Sequence, residues 1–219
     1  TTFAGHEGAV TCFQAAGDTL VSGSSDRTVR EWDLATGVQR QTLDLAWGSK
    51  AVPSGDAYVA GTERGDGGFI GALQFLDCAL ATGTADGVLR LWDLRTGQAH
   101  RKLAAGHRQP ITSLCFDDRH VVSGSLDCSA LLWDLRMGRV VQPLEFAGSV
   151  TSVQLAPALR AAEFWVAASD HCLHHYRADS MQRTAYVAGG RSIVTRVCCR
   201  AGDTLVTGDS AGIVKLWKI

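Results

Sequence analysis

The sequence predicts an all-β fold made of about five copies of one four-stranded antiparallel sheet. The first observation is an internal repeat, seen in LVSGSSDRTVREWDL, LATGTADGVLRLWDL, VVSGSLDCSALLWDL and LVTGDSAGIVKLWKI, with a weaker copy in WVAASDHCLHHYR. The second is the spacing of one aromatic position: Trp32, Trp92, Trp133, Tyr176 and Trp217 are 60, 41, 43 and 41 residues apart. A period near forty residues with several short strands in each copy is typical of a β-propeller.

Each copy contains short β-branched and apolar runs separated by Gly, Asp or Ser, as expected for the strands of one blade. In the first copy we predict strands at Val10 to Ala15, Thr19 to Ser24, Thr28 to Leu34 and Arg40 to Leu45. The turn at Ser25-Asp26-Arg27 needs an Asp, because its carboxylate can accept backbone N–H bonds. The repeats end near residues 34, 94, 135, 178 and 219, so one propeller domain covers residues 1–219.

The 60-residue interval between Trp32 and Trp92 is too long for one repeat and too short for two. The excess lies in residues 46–68, which are rich in Gly, Pro, Ser and Asp. Long loops in compact domains are usually functional or disordered. We therefore predict a loop insertion at residues 46–68 rather than a further blade.

Composition indicates a globular protein and excludes several classes of ligand. The chain is 46% hydrophobic and 20% charged, with a net charge of −1 and both signs mixed along its length. No basic field favours nucleic acid, and no apolar run is long enough for a membrane span. The seven cysteines are scattered, mostly within apolar runs, as in a reduced cytoplasmic protein. No cofactor is expected.

The repeats resemble WD40 repeats, in which a Gly-His precedes the innermost strand. The resemblance implies a buried chain of hydrogen bonds through the imidazole, the turn Asp, a strand hydroxyl and the Trp indole. The full tetrad occurs twice, as His6, Ser22, Asp26 and Trp32, and as His107, Ser123, Asp127 and Trp133.

The other three copies depart from this pattern. The Trp92 copy keeps Thr82 and Asp86 without a Gly-His, and the Tyr176 copy keeps Asp170. The last copy has Ala211 and Lys218 where acids would stand. We expect these three blades to be less rigid or differently capped.

Two chemical alternatives are weaker than the structural interpretation. Ser, His and Asp together resemble a hydrolase triad, but a set that recurs at a fixed period beside a Trp favours a structural role. No catalytic residue is therefore predicted. The run Asp170 to His175 contains metal-capable side chains. On a strand His174 would face away from His171 and His175, and the sequence holds no second cluster with zinc spacing. No metal site is predicted.

A narrower resemblance rests on GDTLVSGSSDRTVREWDLATGVQRQTLDLAWG, a variable insertion, IGALQFLDCALATGTADGVLRLWDLRTGQAHRKL, and FDDRHVVSGSLDCSALLWDLRMG. These segments are similar to the C-terminal propeller of the fungal mitochondrial division protein family, the WD-repeat adaptors of mitochondrial fission. The resemblance implies a non-catalytic scaffold that recruits a dynamin-related GTPase to the cytosolic face of the mitochondrial outer membrane, without inserting into it.

In that family an N-terminal segment binds the outer-membrane fission receptor, and a coiled coil dimerises the protein. About five of seven blades would be present here, so we expect the chain to be a piece of a longer protein. Substrate receptors of F-box/WD ubiquitin ligases share the SGSxDxTVRxWD pattern and are the alternative. An upstream coiled coil would support the adaptor, and an upstream F-box the ligase.

Propellers bind partners mostly through the face built from the loops before the innermost strands and the turns that carry the Asp. We call this the partner face. In this sequence it would present Glu7, Arg27, Arg108, Gln109, His171 and Arg191.

Overall fold

The computed structural model describes residues 1–45, 68–103, 106–156, 163–177, 182–187, 192–200 and 204–218. The predicted insertion lies outside these residues except for Gly68. The chain forms two compact units, Thr1–Ile111 and Thr112–Ile219. Within the described ranges, no helix is long and apolar enough to span a bilayer.

The described residues form five antiparallel sheets, each with its strands in chain order. Sheet 1 contains β1 (Val10–Ala16), β2 (Thr19–Ser24), β3 (Thr28–Asp33) and β4 (Gln39–Asp44); sheet 2 contains β5 (Ile70–Leu76), β6 (Ala79–Thr84), β7 (Leu89–Asp93) and β8 (Gln98–Leu103). Sheet 3 contains β9 (Ile111–Phe116), β10 (His120–Ser125), β11 (Ser129–Asp134) and β12 (Arg139–Glu145); sheet 4 contains β13 (Val150–Leu155), β14 (Glu163–Ala168), β15 (Cys172–Arg177) and β16 (Arg183–Val187). Sheet 5 has three strands in the described part of the chain, β17 (Val194–Arg200), β18 (Thr204–Asp209) and β19 (Val214–Lys218). The predicted all-β fold of repeated sheets is confirmed.

In every sheet, the turn between the second and third strands contains one residue with a left-handed backbone. The residue after the turn Asp, or after Ala211 in sheet 5, lies in the left-handed region: φ is 68° at Arg27, 76° at Gly87, 64° at Cys128, 66° at His171 and 80° at Gly212. A left-handed residue after a tight turn lets two strands continue in register. Glycine adopts this conformation without strain, whereas other residues do so at a cost of about 1–2 kcal/mol.

Neighbouring sheets within each unit pack through apolar side chains and close glycine contacts. In the first unit Val21, Leu43, Ile70 and Trp92 belong to one buried cluster shared by sheets 1 and 2. A Cβ on Gly23 would lie 2.8 Å from Cγ2 of Ile70. In the second unit a Cβ on Gly124 would lie 2.3 Å from Cγ1 of Val150. The glycine of the SGS motif is therefore required by the approach of the next sheet.

Threonine hydroxyls on the first strands connect sheets to each other. The hydroxyl of Thr112 lies 3.1 Å from the Gly124 carbonyl oxygen in its own sheet and 2.6 Å from the Val150 carbonyl oxygen in the next. Thr151 repeats the arrangement with Ala167 and Val194, at 3.1 and 2.6 Å. These hydrogen bonds connect the first strand of one sheet to the first strand of the next.

The outer strands β4, β8 and β12 each carry a bulge opposite the Trp of the third strand. The pairing skips one residue in each, namely Arg40, His100 and Val141. β12 also contains Pro143, which has no N–H to donate. Bulges, prolines and charged residues discourage strand-to-strand aggregation at exposed sheet edges.

Candidate functional site

In sheet 1 four side chains form a continuous chain of hydrogen bonds between the loop before β1 and the third strand. The Trp32 indole N–H donates to Oγ of Ser22 at 2.8 Å. Nε2 of His6 lies 2.8 Å from the same oxygen, and Nδ1 of His6 lies 2.9 Å from Oδ2 of Asp26. Because a carboxylate only accepts, Nδ1 carries the proton, so Nε2 accepts from the Ser22 hydroxyl. Every member of the chain therefore has a partner.

The Asp26 carboxylate accepts most of the hydrogen bonds that hold the turn. Burial favours its neutral form, but hydrogen bonds from Thr28, His6 and the Glu7 backbone outweigh burial and hold the pKa of Asp26 well below its ordinary value. The Glu7 N–H donates to Oδ2 at 2.9 Å, and the Thr28 N–H donates to Oδ1 at 2.9 Å. The ionised carboxylate thus joins the loop before β1 to the start of β3.

Ser22 cannot act as a hydrolase nucleophile in this arrangement. It is 5% exposed, and its oxygen accepts the Trp32 N–H. A catalytic serine needs room for a substrate carbonyl beside its hydroxyl. Ser123, at the equivalent position of sheet 3, is 0% exposed and accepts the Trp133 indole N–H at 2.9 Å. His107 is also buried in this part of the structure. Ser22 therefore relays hydrogen bonds between His6 and Trp32, and Ser123 accepts an internal hydrogen bond from Trp133.

Sheet 2 lacks the Gly-His and places an arginine beside its turn Asp. Arg90, four residues after Asp86, is 2% exposed. Its Nη2 lies 3.2 Å from Oδ2 of Asp86, and its Nη1 donates to Oγ1 of Thr84 at 2.7 Å. The Trp92 indole donates to Thr82 at 2.9 Å, as the indoles of Trp32 and Trp133 donate to Ser22 and Ser123. The guanidinium thus supplies the donor that an imidazole supplies in sheet 1.

Sheet 4 uses the same third-strand position with an imidazole. Nε2 of His174, four residues after Asp170, lies 3.0 Å from Oδ2 of that carboxylate. On the other side, Nη2 of Arg183 in β16 lies 2.9 Å from Nδ1 of His174. A guanidinium only donates, so Nδ1 accepts and Nε2 carries the proton. Burial, opposed by Asp170 and reinforced by the Arg183 charge, holds the pKa of His174 below its ordinary value.

An aromatic ring replaces the loop imidazole in sheet 4. Phe146 lies four residues before β13, as His6 lies four residues before β1. Its ring centroid is 4.8 Å from that of His174, and the Arg183 guanidinium carbon lies 5.6 Å from the Phe146 centroid. Tyr176 stands where the other sheets have Trp, and its ring stacks on that of Phe164 with centroids 5.3 Å apart. The imidazole that contacts the turn Asp thus lies on the third strand in sheet 4, whereas in sheet 1 it lies in the loop before the first strand.

Asp170, Cys172 and His174 bring three metal-capable atoms within 4.8 Å of one another. A metal on Nε2 of His174 would require the proton to move to Nδ1, where it would meet the N–H groups of Arg183. The guanidinium charge also opposes a cation at this position. The geometry therefore supports a structural imidazole.

Sheet 5 is capped by an acid at a different position. Asp209, two residues before Ala211, accepts the backbone N–H groups of Ala211 and Ile213 at 3.0 Å each. The Ser192 hydroxyl donates to its other oxygen at 2.8 Å. The Ile213 N–H, followed by the Ser192 hydroxyl, lowers the pKa of Asp209. The three incomplete copies thus have caps of their own, in which Asp86 and Asp170 are joined by residues that the repeat pattern does not include, namely Arg90, His174 and Arg183, and Asp209 caps the last copy.

Five of the six residues expected on the partner face lie within the described part of the chain. Glu7 and Arg27 are exposed in sheet 1, and Arg108 and Gln109 are exposed before β9. His171, in the second unit, is half-buried at the β14–β15 turn. Arg191 lies outside the described residues. Arg27 and His171 both have left-handed backbones, where sheets 2 and 5 have glycine.

Comparison with protein families matches residues 1–33 and 99–134 to a model described as WD domain, G-beta repeat. The chain carries WD40 repeats. The Gly-His, Asp and Trp positions of the first sheet fall within the first matched segment.

This WD40 chain is also similar to fungal proteins named Mitochondrial division protein 1. It is 50% identical over 120 residues to the protein of Pyricularia oryzae, covering 52% of this chain and 18% of the relative. The Aspergillus clavatus protein is 47% identical over 127 residues, with 53% and 18% covered. The Coccidioides immitis protein is 50% identical over 119 residues, with 51% and 18% covered. In these matches the chain spans less than a fifth of each relative's length.

Proposed function

We propose that this WD40 chain is part of a non-catalytic adaptor in mitochondrial fission, which recruits a dynamin-related GTPase to fission complexes on the cytosolic face of the mitochondrial outer membrane. The observation that carries the proposal is the 50% identity over 120 residues with Mitochondrial division protein 1 of Pyricularia oryzae. The fission receptor of the outer membrane would bind other regions of the protein.

The structure of the polar networks supports a scaffold rather than an enzyme. In sheet 1 the Ser, His and Asp groups that could do chemistry are bonded to one another; Ser22 is buried, and the side chains of His6 and Asp26 are 6% and 10% exposed. Hydrogen-bonded networks of this kind fix turns and loops in place. A rigid set of loops is what a protein-binding surface requires.

The partner face is the surface we propose for the GTPase. Arg27 and His171 keep side chains at backbone positions that glycine would occupy with less strain. Strained residues are often retained where their side chains make functional contacts. We therefore propose Glu7, Arg27, Arg108 and Gln109 in the first unit, and His171 and Arg191 in the second, as contact residues.

A pull-down with purified full-length protein and the dynamin-related GTPase of the same organism tests the proposal. Changing Glu7 and Arg108 to Ala should weaken GTPase capture about tenfold or more, because contacts at an interface centre contribute on the order of 1–2 kcal/mol each. Arg119→Ala is the matched control, since Arg119 is exposed at the opposite, β9–β10 end of its sheet. Capture of a ubiquitin-ligase subunit with no GTPase binding would instead support the F-box alternative.

A further inference from the structure

The outer edge of sheet 5 differs from the outer edges of sheets 1 to 3. In sheets 1 to 3 the third strand is covered by a fourth strand with a bulge. In sheet 5 the third strand, β19, is itself the outermost of the described strands. It pairs with β18 without a register shift and contains neither Pro nor Gly. A regular edge strand of this kind is a template for pairing with another chain.

The alternation of backbone hydrogen bonds identifies the groups of β19 that face outward. The Asp209 N–H donates to the Ile213 carbonyl oxygen at 3.0 Å. In an antiparallel ladder every second residue directs both its N–H and its C=O toward the same neighbouring strand. Alternate residues after Ile213 therefore bond to β18, whereas the N–H and C=O groups of Val214 and Leu216 point to the outer edge. These two residues are placed to bond a further strand.

The side chains of the same two residues are apolar and exposed. Val214 is 68% exposed, and Leu216 is 74% exposed. Val214 is paired with Gly208, the glycine of its repeat. In sheets 1 to 3 the residues paired with the equivalent glycine are at most 1% exposed, namely Val29, Leu89 and Ala130. Exposed apolar side chains beside outward-facing backbone groups favour association at this edge.

The sequence of β19 is compatible with pairing to itself. In an antiparallel register centred on Leu216, the two Leu216 residues lie opposite each other, Val214 lies opposite Lys218, and Lys215 lies opposite Trp217. Directly opposite side chains are neighbours on one face of the sheet, and like charges in such pairs are destabilising. In this register each lysine faces an apolar side chain. A register centred on Lys215 would instead place two ammonium groups opposite each other.

We propose that β19 is a self-association strand, which pairs antiparallel with β19 of a second copy of this chain about a two-fold axis at Leu216. The pairing joins two three-stranded sheets into one continuous sheet. A two-fold contact uses the same patch on both partners, and it closes at the dimer. This edge is distinct from the partner face, and the proposal does not depend on the role in fission.

The size of the contact predicts its strength. β19 has five residues. Pairing along one short strand buries less than the roughly 800 Å² per partner of a standard interface. We therefore expect a reversible dimer with a dissociation constant in the micromolar range.

Sedimentation equilibrium of the full chain measures this association. Between about 1 and about 200 μM, a micromolar dissociation constant predicts a change from mostly monomer to mostly dimer. A chain that remains monomeric throughout would overturn the proposal. Growth beyond the dimer would also overturn it, because a two-fold contact leaves no free copy of the same edge.

A charge exchange at Leu216 tests the two-fold register. Leu216→Lys and Leu216→Glu should each weaken self-association about tenfold or more, because the contact between the two leucines is lost and like charges lie opposite each other. An equimolar mixture of the two variants should recover association, because each pair then joins Lys with Glu. A mixture that stays monomeric would contradict the register.

Matched controls are available at another outer strand. Val141, the bulged residue of β12, is 51% exposed, and Val141→Lys and Val141→Glu should each change the dissociation constant less than twofold. Phe13, on sheet 1, is 70% exposed. Loss of association in a Val141 variant or in Phe13→Lys, with the Leu216 variants unaffected, would place the contact elsewhere and refute the proposal. Circular dichroism checks that each variant folds, which the exposure of all three positions predicts.

Discussion

The residue after the turn Asp has one backbone conformation in all five sheets but differs in side chain. Gly212 has a φ of 80°, and a Cβ there would meet nothing within 4 Å. Cys128 has a φ of 64° at the equivalent turn of sheet 3. Substitutions at these two positions can therefore distinguish the energetic cost of a left-handed backbone from the effects of side-chain packing.

We expect Gly212→Ala to lower the free energy of unfolding by about 1–2 kcal/mol, purely from backbone strain. Cys128→Gly should be neutral or raise it by up to about 1 kcal/mol, because relief of strain exceeds the added chain entropy. Urea denaturation of both variants gives the two values. If the Cys128→Gly variant were less stable than the original protein, the contacts of the Cys128 side chain would stabilise the fold by more than the backbone strain costs.

Trp133 is the clearest example of a side chain whose role is burial. It is 2% exposed and its indole N–H is bonded to Ser123. Trp133→Ala should lower the free energy of unfolding by about 3–5 kcal/mol, the usual cost of removing a core aromatic. Met137→Ala is the control, since Met137 is 58% exposed and should change stability by less than about 0.5 kcal/mol. A loss below about 1 kcal/mol at Trp133 would contradict its structural role.

At the scale of strands and sheets, the close approach of sheets 3 and 4 predicts a specific steric pair. Gly124→Ala places a methyl group against Val150 and should lower the free energy of unfolding by about 1–3 kcal/mol. Val150→Ala opens a cavity and should itself be destabilising. The double variant should be more stable than the sum of the two single effects predicts, because each change relieves the other. If the destabilisation of the double variant equalled the sum of the two single effects, the methyl group and Val150 would not be in steric contact.

Sheet 4 should lose stability in mild acid because of His174. Its pKa is lower in the folded protein than in the unfolded chain, so the unfolded chain binds the proton more tightly. The stability present above about pH 6.5 is therefore lost progressively as the pH falls below that value. His174→Gln can still accept from Arg183 and donate to Asp170, and it should flatten the pH dependence between about pH 7.5 and 5.5. Thermal melts of both proteins, with His120→Gln as a control on a partly exposed imidazole, measure the difference.

The strands of sheet 1 could be predicted to within a residue, since Gly and Asp turns separate its β-branched runs. The caps of sheets 2, 4 and 5 could not be predicted, because the repeat pattern contains an imidazole only in the loop before the first strand. A signal was present: Arg90 and His174 lie two residues before the aromatic position and therefore share its face. The contact of Arg183 with His174 could not be predicted from the sequence, because it depends on the register between β15 and β16.

For the whole molecule, the two compact units account for the described strands, and the long segment between β4 and β5 belongs to the first of them. Both of its ends are anchored. Leu45 is buried and its N–H donates to the Arg27 carbonyl at 3.2 Å. Gly68 has a φ of 51°, and the Phe69 carbonyl accepts the Ala85 N–H at 3.0 Å. Among the described residues, the buried cluster that connects sheets 1 and 2 includes Val21, Leu43, Ile70 and Trp92.

We therefore expect residues 46–67 to be dispensable for folding. Replacing them with a Gly/Ser linker of about ten residues should leave the melting temperature within about 2 °C of its original value, because loop closure entropy changes by only about 0.6 kcal/mol for each doubling of length. The matched control replaces the same number of residues beginning at Gly68, which removes β5 and β6 and should abolish cooperative unfolding. Differential scanning calorimetry compares the three proteins. A fall of more than about 8 °C in the loop variant would correspond to a loss of more than about 2 kcal/mol. That loss is too large for chain entropy alone, and it would mean that the insertion packs against sheets 1 and 2 and forms part of the blade structure.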